Sequence, residues 1–382
     1  ITEFTGYDGA PVTDAKVIAL VVNNAVADSA SAGDEVSVFL DKTPFYAESG
    51  GQVGDNGIIK TEMGTVEVTD CIKVIGGKIA HIGTVSEGSI SVGDSAAAEI
   101  DRVRRLSTSR NHSATHLLQK ALRTVLGTHV EQAGSYVTPD RLRFDFTHFA
   151  AMTPEEIQQV EDIVNEKILE SLPISATQES IEDARKLGAM ALFGEKYGNI
   201  VRVVNMGGYS IELCGGAHLD NTAQVGSFKI VSESGIASGV RRIEALTGAA
   251  ALKHYQRQEE SLKAVCKVVK SNPENMVKRV EAVIAEQKQL AKELESLKAK
   301  RAGGAADSIL ANAVEVKSIK LVAAEVKEAD ANALRTMGDQ LKNKLGSGVV
   351  VLASANGGKV NLLAMATDDA VKAGAHVGNI IK

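Results

Sequence analysis

Residues 102–127 read RVRRLSTSRNHSATHLLQKALRTVLG, and along this stretch the spacing of apolar residues becomes helical. Small and apolar side chains recur every three or four positions, which predicts one amphipathic helix. Ser109 or Asn111 is the expected N-terminal cap, because short polar side chains accept hydrogen bonds from the first backbone N–H groups. His112 and His116 then lie one turn apart on the same face, where two imidazoles can bind one metal ion.

The chain before this helix has the texture of a small β-barrel. Residues 1–100 contain β-branched runs such as KVIALVVNN and DEVSVFLDK, separated by Gly, Asp and Asn turn signals. Between the runs lies a Gly-rich loop, PFYAESGGQVGDNG, at residues 44–57. This loop lacks the Gly-Lys-Ser/Thr ending of a phosphate-binding loop, and no helical pattern follows it.

The chain after the helix mixes both kinds of element, which indicates an α+β domain. Residues 153–172, TPEEIQQVEDIVNEKILESL, predict a helix that starts with a capping box from Thr153 to Glu156. Residues 181–192, IEDARKLGAMAL, predict a shorter helix. Residues 199–218, NIVRVVNMGGYSIELCGGAH, predict two strands joined by a Gly-Gly turn.

A charged helical region follows. Its apolar seam extends over about three heptads and has one polar member; it comprises Met276, Val280, Val283, Gln287, Leu290, Leu294 and Leu297. Two interpretations fit: an antiparallel helical hairpin broken near Pro273, which we favour, or a dimeric coiled coil. RAGGAADSI at residues 301–309 is the predicted linker to a small α/β unit.

Composition narrows the setting and the partners. Three cysteines in a chain of 382 residues do not suggest a disulfide framework, and they favour a reducing, cytoplasmic location. No apolar run is long enough to span a bilayer, so no membrane association is expected. The missing initiator Met and the apolar-patterned end favour a fragment of a longer protein.

Nucleic-acid binding would have to come from local basic patches, because the net charge is −6. Arg110, Arg241 and Arg242 are the candidate phosphate contacts. The alternative is that these arginines are ordinary solvated surface residues, and the sequence does not separate the two interpretations.

A second pair of candidate metal ligands lies in ELCGGAH, where Cys214 and His218 are four positions apart. Together with His112 and His116, they form a set of three imidazoles and one thiolate that suits tetrahedral Zn²⁺. Buried core histidines are the alternative, and a structural zinc is as well supported as a catalytic one. Metalloprotease chemistry of the H-E-x-x-H kind is excluded, because Ser113 occupies the position of the general base.

Several motifs in order resemble the editing domain of alanyl-tRNA synthetases: HSATH, HVEQAGS, RLRFDF, ELCGGAH and GSFKIVSESGIASGVRRIEALTG. PFYAESGGQVGDNG resembles the loop of the barrel that precedes that domain; it is either close to the editing pocket or a structural turn. The later segments resemble the DHH-associated C-terminal region. The aminoacylation domain, which uses ATP to attach alanine to tRNA(Ala), is expected upstream of this chain.

The resemblance therefore implies an α+β multidomain protein. Its parts are a small β-barrel over 1–100, an α+β zinc-containing editing (deacylase) domain over 101–250, a helical hairpin or coiled coil over 251–305, and a partial DHH-associated α/β domain over 306–382. The C-terminal region is also a candidate for homodimer contacts.

The resemblance further implies zinc-dependent hydrolysis of mischarged Ser-tRNA(Ala) and Gly-tRNA(Ala). His112, His116, Cys214 and His218 would bind the zinc, and Gln132 would help to position or select the aminoacyl group as a catalytic residue. We favour a zinc that orients the substrate's α-amino group over one that activates water, since four protein ligands leave no free position unless one of them is displaced or the coordination expands.

One position departs from the family pattern: Ala217 stands where Thr is usual, which puts the efficiency or selectivity of editing in doubt. Two other functions stay open. One is a free-standing deacylase that edits in trans, and the other is a non-catalytic RNA-binding module stabilised by zinc.

Overall fold

The computed structural model describes residues 1–190, 198–327, 329–356 and 358–381. The chain divides into two units, Ile1–Glu260 and Ser261–Lys382, and both are mixed α/β. Among the helices in the described ranges, none has the length and apolar character needed to cross a membrane.

The first unit begins with a closed β-barrel. Six antiparallel strands form it, in the order β10–β7–β8–β9–β5–β2 and back to β10. The strands of this region are β1 (Glu3–Phe4), β2 (Val12–Val22), β3 (Ala25–Ala27), β4 (Ser29–Ser31), β5 (Glu35–Leu40), β6 (Lys42–Thr43), β7 (Gly57–Lys60), β8 (Gly64–Val74), β9 (Lys78–Ser91) and β10 (Ser95–Ile100). The predicted barrel is therefore present.

Side chains that alternate between inside and outside along the strands fill this barrel with an aliphatic core. In β5, Val36, Val38 and Leu40 point inward, while their neighbours are less buried. In β10, small inward residues such as Ala96 and Ala98 alternate with exposed ones. Small and branched apolar side chains fill the inside of a narrow barrel, which explains how a chain without Trp forms a core here.

The rest of the first unit packs helices against antiparallel sheets. One sheet has the order β11–β12–β17–β16, and a smaller one has the order β13–β14–β15. The elements are α1 (Arg102–Leu126), β11 (Gln132–Val137), β12 (Leu142–Thr147), α2 (Pro154–Leu169), β13 (Ile174–Ser180), α3 (Ile181–Lys186), β14 (Ile200–Met206), β15 (Ser210–Leu213), β16 (Phe228–Ala237), β17 (Val240–Thr247) and the first part of α4 (Gly248–Val269), which continues into the second unit. Leu117 and Leu122 of α1 lie in one buried cluster with Phe144 and Phe146 of β12.

Helix α1 starts earlier than its apolar pattern predicts. Its N-cap is Asp101, whose carboxylate accepts from the Arg104 N–H at 2.9 Å, so the predicted cap at Ser109 or Asn111 is wrong. As a consequence, His112 lies in the middle of a continuous helix rather than at a frayed helix end.

Two other local predictions have different outcomes. The capping box from Thr153 to Glu156 is confirmed, with both hydrogen bonds present. The helix predicted over 181–192 ends at Lys186, and the last two residues of that prediction, 191 and 192, lie outside the described residues.

The second unit pairs a long helix with a four-stranded sheet. The sheet has the order β18–β19–β20–β21, with β19 and β20 parallel and joined through α6. The elements are α5 (Met276–Leu310), β18 (Val314–Val316), β19 (Ile319–Glu325), α6 (Ala331–Leu345), β20 (Gly348–Asn356), β21 (Lys359–Ala366), α7 (Asp368–Lys372) and α8 (Val377–Ile380).

Two predictions for this unit need correction. Residues 301–309 are helical and belong to α5, so they are not a linker. The chain does break between α4 and α5, around Pro273, but the heptad seam beyond the break is not buried in a hairpin. Its exposed apolar members are Val283, Leu290, Leu294 and Leu297. The dimeric coiled coil and the domain boundaries stay predictions.

Candidate metal centre

Four side chains from two distant parts of the chain meet in the first unit. His112 and His116 come from one face of α1, while Cys214 and His218 come from the turn that follows β15. The possible ligand atoms of these four residues all lie within 4.8 Å of one another. Cys214 Sγ is 3.4 Å from His112 Nε2 and 3.2 Å from His218 Nε2.

Every imidazole in the cluster is oriented by a polar side chain behind it. Each ring directs Nδ1 at an oxygen of that side chain, which leaves Nε2 for the centre of the cluster. The pairs are His112 Nδ1 with Gln52 Oε1 at 2.7 Å, His116 Nδ1 with Glu212 Oε2 at 2.5 Å, and His218 Nδ1 with Ser113 Oγ at 3.2 Å.

The donor set fits a zinc ion. His116 Nε2 is buried and has no hydrogen-bond partner among the described residues, which is costly for a polar atom unless a ligand satisfies it. Three imidazole nitrogens and one thiolate form a combination that binds Zn²⁺ tetrahedrally. Rings already oriented by neighbouring side chains are usual for zinc-binding histidines.

Electrostatics within the cluster favour a thiolate. Burial opposes ionisation, yet the three nearby imidazoles hold the pKa of the Cys214 thiol well below its usual value. Burial lowers the pKa of His218 to about 3, so this ring is neutral at physiological pH. For His116, burial is outweighed by the carboxylate of Glu212, which raises the pKa of the ring well above its usual value.

One cationic side chain, Arg202, and one aromatic side chain, Tyr7, hold the turn that carries Cys214. Arg202 Nη1 donates to the carbonyls of Cys214 and Gly216 at 3.0 and 2.8 Å. The Tyr7 hydroxyl donates to the Gly215 carbonyl at 3.2 Å, and the Arg202 guanidinium lies 4.1 Å from the centre of the Tyr7 ring. These contacts tie the turn to β14 and to the start of the chain.

Position 216 requires glycine, because there is no room for a side chain beside His112. A Cβ atom built at Gly216 would lie 2.0 Å from His112 Cε1, well inside van der Waals contact. Gly215 has open space around it. The two adjacent glycines therefore do different things, and only the second one permits the ligands to approach.

A cavity of about 310 Å³ opens beside the cluster. His112, His116 and Cys214 form part of its wall, and Gln132 at the start of β11 forms another part. The Gln132 amide nitrogen donates to Ser135 Oγ at 3.3 Å. Gln132 therefore lies beside the candidate metal ligands, although its catalytic role stays a prediction.

The three arginines predicted to contact RNA are already engaged by protein acceptors. Arg241 forms two hydrogen bonds with Glu233, and Arg242 forms two with Asp145. Arg110 donates to the backbone carbonyl of Gln224 at 2.9 Å. None of them lines the cavity beside the metal ligands. Their contact with phosphate stays a prediction.

The sequence reasoning missed the side chains that orient the ligands. Gln52 lies in the Gly-rich loop 44–57, and Glu212 lies two positions before Cys214 in the ELCGGAH motif. Ser113 directly follows the first ligand, His112, where its residue type excludes a metalloprotease. The carboxylate inside the ligand motif ELCGGAH is the signal that would have pointed to Glu212, whereas Gln52 has no comparable local signal.

Two family models match parts of the first unit, one over the barrel and one over the segment that contains Cys214 and His218. Residues 1–104 match the family model described as tRNA synthetases class II (A). Residues 201–244 match the model described as threonyl and alanyl tRNA synthetase second additional domain.

The same family appears among curated relatives. The chain is 57% identical to the alanine–tRNA ligase of Acetivibrio thermocellus over 381 residues, which are 100% of this chain and 43% of that ligase. Identities are 52% to alanine–tRNA ligase 1 of Lachnoclostridium phytofermentans and 48% to the enzyme of Geobacillus kaustophilus, with the same coverage. The chain thus spans less than half the length of these relatives.

Proposed function

Since the chain is related over its whole length to the alanine–tRNA ligases, which are aminoacyl-tRNA synthetases, we propose that it carries their editing activity. In this proposal the chain hydrolyses the ester bond of mischarged Ser-tRNA(Ala) and Gly-tRNA(Ala) with the help of zinc. The observation that carries the proposal is the convergence of three imidazoles and a thiolate beside a cavity, with Cys214 and His218 inside the segment matched by the additional-domain model.

The substrate class follows from a problem of discrimination. Serine adds one hydroxyl to alanine, and glycine lacks one methyl group, so an activation pocket for alanine rejects neither of them strongly. A second site that hydrolyses the wrong ester is the physical remedy. The relatives are named as ligases, and we extend ATP-dependent attachment of alanine only to a longer protein that would include this chain.

In this proposal the residues of the site have two roles, metal binding and substrate binding. His112, His116, Cys214 and His218 would hold the zinc, which would act as a Lewis acid and orient the α-amino group of the substrate. Gln132 presents an amide donor and acceptor at the cavity wall, where it would bind the aminoacyl group.

Deacylation of charged tRNA(Ala) tests this proposal. The chain should release serine and glycine but leave Ala-tRNA(Ala) intact, and Cys214→Ala should lose both zinc and hydrolysis. Cys266→Ala is the matched control, because Cys266 is a buried cysteine in the second unit. Gln132→Ala should reduce hydrolysis while zinc content stays at one ion per chain.

The contrary result is equally clear. A chain that binds zinc and releases no serine under these conditions is not a deacylase, and the non-catalytic RNA-binding module would replace the proposal. Hydrolysis by the isolated chain would support a free-standing deacylase as well as a ligase part, since both share this chemistry.

The remaining partners belong to the same proposal. The acceptor end of tRNA(Ala) is the RNA partner, and a cytoplasmic location suits its three free cysteines. Exposed apolar side chains on α5, such as Leu290 and Leu294, support a homodimer through the C-terminal region. Sedimentation of the wild type and of Leu290→Lys checks it, and a monomeric wild type at micromolar concentration would contradict it.

A further inference from the structure

One side chain of the barrel reaches the candidate metal centre. Gln52 lies in the Gly-rich loop 44–57 and is fully buried. Its amide oxygen is 2.7 Å from His112 Nδ1 and 2.9 Å from the backbone nitrogen of Ala217. A single oxygen atom therefore contacts both segments that carry the ligands, which are α1 and the turn from Cys214 to His218.

These two contacts fix the orientation of the amide and the tautomer of the ring. The Ala217 N–H can only donate, so the atom that faces it must be the amide oxygen of Gln52. The same oxygen can only accept from His112 Nδ1, and that nitrogen must therefore carry the proton. His112 Nε2 is then left with its lone pair, 3.4 Å from Cys214 Sγ, on the side where a metal ion would bind.

The loop itself is held against the domain that contains the metal ligands. The backbone of residues 51–53 pairs with Val137 of β11 through the bonds Val137 N to Gly51 O, 2.7 Å, and Val53 N to Val137 O, 3.1 Å. Gly51 adopts φ +82° and lies so close to Ser135 that a Cβ atom would be 2.4 Å from its carbonyl oxygen. A tight backbone turn therefore presents Gln52 at one place.

We propose that Gln52 is a positioning residue of the metal centre, through which the barrel loop sets the tautomer of His112 and clamps the two ligand segments together. The proposal rests on the zinc-binding part of the proposed function. It also gives a role to Ala217, whose backbone N–H rather than its side chain is used. A turn that only joined strands of the barrel would not need to place an acceptor beside His112.

The amide nitrogen of Gln52 has no hydrogen-bond partner among the described residues. Gln52→Glu therefore keeps the acceptor and gives up no contact, whereas Gln52→Met keeps the length and removes the acceptor. Gln178→Met is the matched control, because Gln178 is an exposed glutamine on β13 of the same unit.

The experiment measures zinc affinity of the full chain by competition with a chromophoric chelator, and it records the visible spectrum of the Co²⁺-substituted protein. Loss of a partner behind a metal ligand typically weakens binding about 10- to 100-fold, so we expect that range for Gln52→Met. We expect Gln52→Glu to remain within a few-fold of the wild type, and Gln178→Met to equal it.

The outcomes separate this inference from the proposed function. A wild-type chain that binds no zinc overturns the metal site and the proposed function with it. A wild type that binds zinc, with Gln52→Met binding equally well and giving the same Co²⁺ spectrum, overturns only the role of Gln52. Should Gln52→Met fail to fold, Gln52→Glu decides: wild-type affinity supports the acceptor role, and affinity weakened 10-fold or more contradicts it.

Discussion

Replacing Gly216 by alanine adds one methyl group at the place where the two ligand segments come closest. The new Cβ would lie 2.0 Å from His112 Cε1, 2.4 Å from His112 Nδ1 and 2.9 Å from the amide oxygen of Gln52. Carbon atoms in contact are normally about 3.5–4.0 Å apart, so the ring or the turn must move by more than about 1 Å. The ring carries a candidate metal ligand, and the turn carries two.

That displacement is large for a metal site. Ligand distances hold within about 0.2 Å of their ideal values, and a shift of more than about 1 Å removes His112 from the coordination sphere. Loss of a side chain behind a ligand already costs about 10- to 100-fold in affinity, so loss of the ligand itself should cost at least about 100-fold. This corresponds to about 2.7 kcal/mol or more.

The neighbouring glycine supplies the control. A Cβ atom at Gly215 would have no heavy atom within 4 Å, and Tyr7 contacts only the carbonyl of this residue, so Gly215→Ala should bind zinc like the wild type. The assay is zinc competition with a chelator on both variants, followed by hydrolysis of Ser-tRNA(Ala). Wild-type zinc affinity in Gly216→Ala would refute the reasoning, because His112 would then not be confined between this turn and the metal.

Three other changes test the physical basis of the fold and the site. Burial lowers the pKa of His81 from 6.5 to about 4, so its neutral form stabilises the fold above pH 6.5, and this stability is lost as the pH falls towards 4. From pH 7 to pH 5 the loss should be about 2 kcal/mol by urea denaturation, and His81→Gln should abolish that component. Arg105→Met would leave the buried carboxylate of Asp55 without its partner and should cost about 3–5 kcal/mol, whereas adding Asp55→Asn should recover part of it; equal stability of the single and double variants would contradict this. Glu212→Gln should weaken zinc binding about 10-fold, because a neutral amide accepts less strongly from His116 Nδ1–H, and unchanged affinity would argue against an orienting role.

The sequence predicted a structural feature correctly where the residues that determine it lie close together in the chain. The capping box at Thr153 works within three residues, and the barrel follows from alternation along each strand. The N-cap of α1 was misplaced because its first two turns are mostly polar and their apolar residues, Val103 and Leu106, are exposed, so apolar spacing does not mark them. The cap is Asp101, a residue type that favours this position, and its carboxylate accepts from the Arg104 N–H.

The stretch 301–309 shows a different limit. Two adjacent glycines suggested a linker, yet this stretch continues α5 to Leu310. Ala306 lies in the buried cluster of the second unit with Leu341 of α6 and Val322 of β19. Packing of the helix end against these elements outweighs the low helix propensity of glycine, and propensity along the chain does not include that term.

The sequence predicts the candidate ligands more readily than the side chains behind them. His112 and His116 are four residues apart on one helix, so their shared face follows from helix geometry alone. Gln52 is 60 positions from His112, and its contact depends on how the barrel loop lies along β11. A contact between segments so far apart in the chain has no local pattern, which is why only the structure reveals it.

The three orienting contacts make the site depend on the whole first unit. Gln52 comes from the barrel, Ser113 from α1 itself and Glu212 from β15, so each imidazole is aligned by a different segment. An imidazole whose Nδ1 lacks an acceptor is free to rotate or to adopt the other tautomer, which places a proton where the metal should bind. Damage to the barrel would therefore reach the metal through His112 first, while the Glu212 contact stayed in place. For this reason the barrel is part of the candidate metal centre, although it supplies none of the four ligands.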